Sequence, residues 1–546
     1  MRILGAAVGD CVHVGGVVRF LQMAEREGHE VRMLGPAVAV EKVVAAAQEW
    51  NADVVAVGYR LTPESGRRVL SALKEAAAGA GQLGRRWILG ATDPVAEVAQ
   101  ELDFFEAIFG SSSELQEQLD FLRGTRTAKE KAIPPQQLVD RILWKKPYPL
   151  LRHHFGQPSM AATAEGIAEI AEAGVLDVIS LGPDQNAQEH FFRPDEMDPR
   201  EDGAGGVPVR TREDLAALYA ASRRGNYPLM RCYSGTRDQL KWAEMLVDTI
   251  NNAWCAIPLF WYSQLDGRSQ RPLEESIPEV QAVMRWHGER GIPLESNESH
   301  HWSLRDAPDA VAVAAAYIAA YNAKQAGVQD YVQQLMWNNP PLSSPAMDLA
   351  KMLAKLELVE GLAGPKFRVW RECRTGLTSM PAGFDRAKGH LAASTIIQMA
   401  VRPDIVHIVG HSEYHHAATA QDVIEGCRVV QGAIQLALQG LPDMAADPRV
   451  QERKEELVWE ARQLVEAIAS LAPSEVSDPL THAPTLARAV HVGLLDAPHL
   501  MGNSVGRGQV AVRFDDGACR PYDRETGKVL TELEREAMLL TKGGMA

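Results

Sequence analysis

The sequence predicts an α/β protein: a flavodoxin-like domain with a doubly wound parallel sheet, followed by a (β/α)8 TIM barrel with a C-terminal extension. Three observations support this. Short apolar runs alternate with amphipathic helical patterns over residues 1–123. The alternation resumes at residue 151 and runs through eight strand–helix units. Polar residues gather where the predicted barrel strands end, which is where such barrels carry their active sites.

Composition narrows the class of protein. The 546 residues are 46% hydrophobic and 23% charged, as expected for several globular domains. A net charge of −15 gives little support for a nucleic-acid partner, and no apolar run reaches the ~20 residues of a membrane span. The six cysteines are scattered and form no CxxC pair, and no signal peptide is evident. We therefore expect a cytoplasmic protein, free of nucleic acid and membrane, that acts on a small molecule.

The first predicted domain covers residues 1–123. Its apolar runs are short enough to be buried strands, and helical patterns separate them. These runs lie at 2–8, 30–34, 53–59, 86–91 and 106–109. Strands at this spacing favour the flavodoxin-like arrangement, in which ligands bind at the carboxyl ends of the strands.

Residues 124–150 are charged and contain prolines, so they read as a linker with at most one short helix. The barrel is predicted over 151–445, and a charged helix with a compact tail over 446–546. The predicted barrel strands lie near 151–156, 175–182, 228–235, 255–262, 292–299, 328–337, 367–374 and 404–411.

The predicted strand ends carry the candidate catalytic residues. Arg231 can clamp one substrate carboxylate or phosphate through its guanidinium fork. The candidate acid–base or orienting groups are Glu295, Glu298, His300 and His411. Arg371 and Arg374 are equally consistent with plain ion pairs. Aromatic residues at these ends indicate a larger or less charged substrate; they are Trp261, Tyr262, Trp302 and Trp337.

The first strand ends in the turn GDCVHVGG, and EGHEVRMLGPAVAVEKVVAAAQEWNADVVAVGYRL follows. These segments resemble a cobalamin-binding domain. In that family an Asp-x-His-x-x-Gly turn supplies the lower axial cobalt ligand, and the aspartate orients the histidine. The resemblance implies His13 as cobalt ligand. It also implies a cofactor-binding set of Asp10, His13, Gly15, Gly16, Tyr59, Leu61 and Gly90.

The turn departs from the family spacing by one residue, which leaves two registers open. Keeping His13 puts Cys11 at the position of the family's aspartate. Keeping Asp10 puts Val12 at the position of its histidine. Tyr59 stands where the family has a serine beside the nucleotide tail of the cofactor, so it is expected to narrow that channel.

Residues 151–535 resemble the barrel subunit of glutamate (methylaspartate) mutase. The resemblance rests on Arg231 with the following Ser-Gly-Thr, on IVHIVGHSEYHHAATAQDVIEG, and on VGLLDAPHLMGNSVGRGQVAVRFDDGACRPYD. In the second of these segments Glu413 falls on the carboxylate that contacts adenosine. The family implies an adenosylcobalamin-dependent radical isomerase, here with both parts fused in one chain.

The family grips glutamate with three arginines, and only Arg231 has a counterpart in this comparison. Gln188 stands at the second position, and the first falls in residues 156–158 without an arginine. The expected substrate is therefore a small carboxylate other than glutamate. Other readings remain open: a corrinoid methyltransferase, a non-corrin binding or regulatory protein, a metal site in HSEYHH, and a homodimer.

Overall fold

The computed structural model describes residues 1–111, 113, 115–124, 133–267 and 269–541. The chain divides into two compact units, Met1–Ala132 and Ile133–Ala546. Within the predicted linker, residues 125–132 lie outside the described residues, whereas residues 138–145 form a helix. Both units are α/β, as the sequence predicted.

The first unit is a parallel sheet in the order β2-β1-β3-β4-β5, with helices in the connections. This confirms the flavodoxin-like prediction. The described strands are β1 (Arg2–Ala7), β2 (Glu30–Met33), β3 (Val54–Tyr59), β4 (Arg86–Ala91) and β5 (Ala107–Phe109). The described helices are α1 (Gly15–Arg26), α2 (Val40–Glu49), α3 (Pro63–Gly79), α4 (Asp93–Glu101) and α5 (Leu115–Arg123).

Close packing of α1 on the sheet sets the position of the turn that precedes it. A Cβ at Gly58, on the central strand β3, would lie 2.7 Å from Val17 Cγ2 on α1. Only glycine permits this approach, because any larger residue would push the helix outward. The turn between β1 and α1 is therefore held at the carboxyl edge of the sheet.

The second unit contains a parallel sheet in the order β8-β7-β6-β13-β12-β11-β10-β9 over the residues that the structure describes. These strands are β6 (Leu150–Phe155), β7 (Val178–Leu181), β8 (Leu229–Cys232), β9 (Cys255–Ala256), β10 (Leu294–Ser296), β11 (Asp330–Trp337), β12 (Arg368–Thr375) and β13 (Ile405–Ile408). The barrel predicted from the sequence is thus confirmed.

The two edge strands, β8 and β9, are joined by hydrogen bonds outside the regular ladder. The Ala253 backbone N–H donates to the Met230 carbonyl at 2.9 Å. The Cys232 N–H donates to the Asn252 side-chain oxygen at 2.9 Å. These bonds satisfy backbone groups at the edges and bring the sheet close to closure.

One helix precedes the first barrel strand, and the other helices of this part lie in the segments after the strands. They are α6 (Leu138–Lys145), α7 (Met160–Ala173), α8 (Gln185–His190), α9 (Arg212–Ala221), α10 (Gln239–Ile250), α11 (Leu273–Glu289), α12 (Glu298–Ser303), α13 (Asp309–Gln325), α14 (Pro345–Glu360), α15 (Phe384–Gln398) and α16 (Ala420–Leu438). The C-terminal extension adds α17 (Pro448–Ser470), α18 (Ala483–His491), the hairpin of β14 (Val512–Asp515) and β15 (Ala518–Pro521), and α19 (Glu532–Thr541).

Alternation along the strands sorts the barrel interior into layers. The floor is apolar, because Leu150, Val178, Leu229 and Ile405 pack together there with Leu138 and Ile142 of α6. Polar and charged residues lie two positions further along the same strands, beginning with Arg152 on β6. The floor therefore closes one end of the barrel and leaves the polar groups toward the carboxyl ends of the strands.

Within the described ranges, none of the helices combines the length and hydrophobicity needed to cross a bilayer.

We expect Ile142→Ala to lower the free energy of unfolding by about 2–5 kcal/mol, because it opens a cavity in the barrel floor. The matched control is Leu143→Ala on the same helix. Leu143 is 54% exposed, so its loss should change stability by less than about 0.5 kcal/mol. Urea unfolding of the full chain, followed by tryptophan fluorescence, measures both. Equal losses for the two variants would contradict the assignment of α6 as the floor.

Candidate functional site

In the first unit, the turn between β1 and α1 carries His13 with its imidazole exposed. Its Nδ1 lies 3.8 Å from the Sγ of Cys11, which is buried. Gly15 and Gly16 open α1, and a Cβ on either would meet no atom within 4 Å. The turn therefore presents the other imidazole nitrogen, Nε2, beside an unobstructed backbone.

Asp10 does not orient His13 as the resemblance implied. Its Oδ1 lies 2.9 Å from the donating hydroxyl of Tyr59, and that hydroxyl is 2.8 Å from Ser65 Oγ. Its Oδ2 faces Arg68 at 3.7 Å. Cys11, and not Asp10, is therefore the side chain next to the imidazole of His13.

Tyr59 is fully buried, although it ends a strand at the ligand-binding edge of the sheet. Leu61, two residues further on, is 36% exposed. Gly90 on β4 is half-buried, and a Cβ there would come no nearer than 4.0 Å to Val57 O. The Tyr59 ring is thus packed inside the unit at the position that the resemblance puts beside the nucleotide tail, while Leu61 and Gly90 are less buried.

The residues of this turn are suited to hold the cobalt ion of a corrinoid. An exposed imidazole in a glycine-flanked turn is a suitable axial ligand for cobalt. The resemblance puts Tyr59 beside the nucleotide tail, so this residue would narrow the space left for that part of the cofactor. His13 would hold the metal, with Cys11 as the side chain next to its other ring nitrogen.

At the centre of the barrel, Arg152 on β6 links three other strands. Its Nε donates to Ser180 Oγ at 2.7 Å, and its Nη1 donates to Glu295 Oε2 at 3.1 Å. The same Nη1 forms an ion pair with Glu372. Both carboxylates and the guanidinium are almost completely buried. The sequence comparison missed Arg152, because it expected an arginine only after this strand.

The two central carboxylates differ in their partners. Glu295 also accepts from Trp254 Nε1 at 2.8 Å and from Gln334 Nε2 at 2.6 Å. Glu372 has one oxygen, Oε2, without a hydrogen-bond partner among the described residues. Burial raises the pKa of Glu372 above its usual range, although Arg152 beside it opposes the rise. Glu295 is a structural acceptor, whereas Glu372 retains an open oxygen.

Arg231 on β8 is fully buried, and its three side-chain nitrogens have no hydrogen-bond acceptor in the described part of the chain. Glu295 Oε2 lies 3.5 Å from its Nη1, and the guanidinium carbon is 5.1 Å from the Trp254 ring centroid. A buried guanidinium without acceptors is costly, because its donors have lost water without gaining partners. Arg231 is therefore the clearest candidate for a bound anion.

Next to Arg152, the strands β6, β12 and β13 and the residue after β8 bring together His154, Arg374, His407 and Tyr233. The His154 and Tyr233 rings are stacked at 5.0 Å, and the His407 ring is 4.6 Å from His154. Burial, with the charges of Arg152 and Arg374, holds the pKa of both histidines well below its usual value. These imidazoles are therefore neutral at pH 7.

Glu298 and His300 belong to α12, beside the loop after β9. Glu298 accepts from the Leu259 and Phe260 backbone N–H groups at 2.6 and 3.0 Å and from Trp302 Nε1 at 2.7 Å. Burial raises its pKa to about 7, and these donors oppose the rise. Its oxygens are thus occupied in holding the loop.

His300 Nδ1 is hydrogen-bonded to the Gln334 side-chain oxygen, and its ring stacks on His301 at 4.3 Å. The strand predicted near 292–299 ends earlier, at Ser296, and both histidines lie on the helix that follows it. The expected aromatic mouth also differs, since Trp261, Trp302 and Trp337 are buried in apolar clusters.

His411 and Glu413 follow β13. His411 Nε2 lies 3.4 Å from Glu425, and Glu413 accepts from the Gly410 N–H at 2.7 Å. His153 Nε2 is 3.6 Å from Glu413 Oε1. Among the described residues no three His, Cys, Asp or Glu side chains are placed to hold a metal ion. The motif HSEYHH, which lies within the described residues, therefore forms no such group.

Comparison with known proteins bears on the first unit. Residues 1–83 match the family model of the B12 binding domain. A cobalamin-binding protein from Desulfitobacterium hafniense DCB-2 is 27% identical, with a TM-score of 0.19. The match covers 23% of this chain and 56% of that one, so the chain spans about half of its length. The N-terminal part of the chain is thus a B12-binding domain.

Solved barrel structures are similar only at low identity. A Rubisco-like protein from Rhodopseudomonas palustris is 12% identical over 57% of this chain and 70% of its own, with a TM-score of 0.32. A Rubisco from Pyrococcus horikoshii OT3 is 14% identical over 60% and 69%, with a TM-score of 0.36. None of the curated proteins compared with the chain matches it. These likenesses assign no activity to the barrel.

We expect Tyr59→Ser to strengthen binding of cyanocobalamin by about tenfold or more, because removing the ring makes room for the nucleotide tail. Dicyanocobinamide, which lacks that tail, should change by less than about twofold. Tyr59→Phe keeps the ring and is the control for loss of the hydroxyl. Absorbance titration measures the affinities, and circular dichroism checks the fold. An equal gain for both corrinoids would contradict the assignment of Tyr59 to the tail.

Proposed function

We propose that the chain is an adenosylcobalamin-dependent radical isomerase that rearranges a small carboxylate substrate other than glutamate. The observation that carries the proposal is the buried guanidinium of Arg231, which has no hydrogen-bond acceptor in the described residues. It lies inside a barrel that the same chain joins to a B12-binding domain.

The charge balance of the barrel interior supports an anionic substrate. Among the described residues, Arg152, Arg231 and Arg374 face Glu295 and Glu372, and neighbouring histidines stay neutral. The raised pKa of Glu372 favours its protonated form, which increases the excess of positive charge. A carboxylate that binds here both neutralises charge and satisfies stranded donors.

The first unit supports the cofactor part of the proposal. His13 is exposed in an open turn and is suited to cobalt. When bound, adenosylcobalamin supplies a carbon-centred radical that abstracts hydrogen from a substrate. The protein's own contribution is to bind the substrate in one orientation and to keep water away.

Arg231 would fix the carboxylate, and the apolar floor would exclude solvent from below. Glu298 would act through the loop that it holds, as a positioning residue, since its oxygens are already bonded to Leu259, Phe260 and Trp302.

The exclusion of glutamate rests on which arginines the chain has and which it lacks. Arg152 is tied to Glu372 and Glu295, so it is not free to grip a second carboxylate. Arg374 is half-buried, with no ion pair among the described residues. Arg231 is the arginine proposed to hold the first carboxylate, and the exclusion of a second one rests on Gln188 and on residues 156–158, where the family has arginines and this chain has none.

A second candidate is a binding or regulatory protein that kept the scaffold and lost the cofactor. Tyr59 is the observation in its favour, because it is buried and bonded to Asp10 and Ser65 where a nucleotide tail is expected. Corrinoid binding distinguishes the two candidates.

We expect the full chain to bind adenosylcobalamin, with a change in the visible spectrum on titration. With cob(II)inamide, which lacks the nucleotide base that would itself give nitrogen splitting, an imidazole ligand should give that splitting in the electron spin resonance spectrum. His13→Ala should lose that splitting, and His29→Ala, in the same unit, should keep it. If the chain binds no corrinoid, the isomerase proposal fails. If His13→Ala keeps the splitting, His13 is not the ligand.

We expect Arg231→Met to weaken binding of propionate by about tenfold or more, since a charged hydrogen-bonding group is lost. The matched control is Arg371→Met. Arg371 pairs with Glu360 at 2.7 Å and points to the opposite face of β12 from Glu372, which lies in the barrel interior. Its loss should therefore leave propionate binding unchanged. Isothermal titration of the full chain measures both. Equal effects would argue against Arg231 as the anion site.

A further inference from the structure

Tyr233 and His154 form an uncharged pair at the carboxyl ends of β8 and β6. Their side chains are half-buried, unlike the fully buried Arg231 below them. The rings are stacked, with centroids 5.0 Å apart and planes at 15°. Both are therefore packed firmly and yet remain accessible from the open side of the barrel.

The hydroxyl of Tyr233 is not fully used by this contact. It lies 2.9 Å from Nε2 and 3.1 Å from Nδ1 of His154. Because the rings are nearly parallel, the hydroxyl meets the face of the imidazole. A hydrogen bond is more favourable in the plane of the ring, where the nitrogen lone pair lies. The phenolic hydrogen is consequently available to a better acceptor.

Charged groups surround the pair on two sides. The Arg231 guanidinium carbon lies 5.6 Å from the Tyr233 ring centroid. Arg374 is near enough to lower the pKa of Tyr233, although burial has the larger effect and raises it. The phenol thus stays protonated, as a neutral donor next to the guanidinium that awaits an anion.

From this geometry we propose that Tyr233 and His154 bind a neutral oxygen of the substrate, close to the carboxylate held by Arg231. The substrate is then a hydroxy- or oxo-carboxylic acid. The inference rests on the proposed function in taking the barrel interior as the substrate site, and it adds the second functional group that this site recognises.

The chemistry of the pair supports this choice. Transfer of a hydrogen atom between carbon atoms needs no proton donor, so a phenol and an imidazole at the site serve another purpose. A neutral donor beside a cation distinguishes a hydroxyl or carbonyl oxygen from a second carboxylate, which would prefer a charged partner. The short separation from Arg231 suits an oxygen on a carbon near the carboxylate.

The test compares three acids of equal length, propionate, lactate and pyruvate, by isothermal titration against the full chain. We expect lactate or pyruvate to bind about five- to tenfold more tightly than propionate. Tyr233→Phe should abolish this preference and leave propionate within about twofold. His154→Gln should reduce the preference as well. Tyr317→Phe, on α13 outside the barrel interior, should leave it intact.

A retained preference in Tyr233→Phe would overturn the inference, as would equal or undetectable binding of the three acids to the wild type. Circular dichroism and the retained propionate affinity show whether Tyr233→Phe is folded, and His154→Gln is the independent second variant. Corrinoid titration decides the proposed function separately. A chain that prefers lactate without binding a corrinoid would retain this inference and lose the isomerase.

Discussion

The ion pairs of Arg152 with Glu295 and Glu372 are the constraint on which the barrel interior depends. Charges in a nearly water-free core cost several kcal/mol each unless they are paired and hydrogen-bonded. One guanidinium serves both carboxylates, and Trp254 and Gln334 complete the shell of Glu295. The strands β6, β10 and β12 are thereby tied together at one level. Arg231 Nη1 lies 3.5 Å from Glu295 Oε2, an oxygen that already accepts hydrogen bonds from Arg152 and Trp254.

A second set of contacts fixes the turn of the first unit in a similar way. Tyr59 takes Asp10 as its acceptor and places Ser65 of α3 next to the same hydroxyl. Asp10 is therefore bonded to Tyr59, and the side chain beside Nδ1 of His13 is Cys11. A thiol is a weaker hydrogen-bonding partner than a carboxylate, so it would polarise the imidazole less. If His13 holds a corrinoid as proposed, it would do so without the carboxylate partner that the resemblance implied.

The sequence predicted the fold well because its signal is local. Each strand is a short apolar run bounded by turns, and the observed strands begin within three residues of those runs, although β9 (Cys255–Ala256) ends six residues before its predicted run does. The site was harder, since it depends on partners distant in sequence. Arg152 sits inside the apolar strand LLRHHF, and its carboxylates lie 143 and 220 residues away. Likewise, the residues near Asp10 do not predict that its carboxylate accepts a hydrogen bond from Tyr59, which lies 49 residues further on.

The imidazoles of His154 and His407 stay neutral chiefly because they are buried, and the charges of Arg152 and Arg374 lower their pKa further. The neutral imidazoles and the protonated phenol of Tyr233 add no charge beside the guanidinium of Arg231. The positive charge of this layer therefore stays on the arginines, and the hydrogen-bonding side chains next to Arg231 are uncharged. A site of this composition favours a ligand with one anionic group and one neutral oxygen, because each group then meets a partner of matching charge.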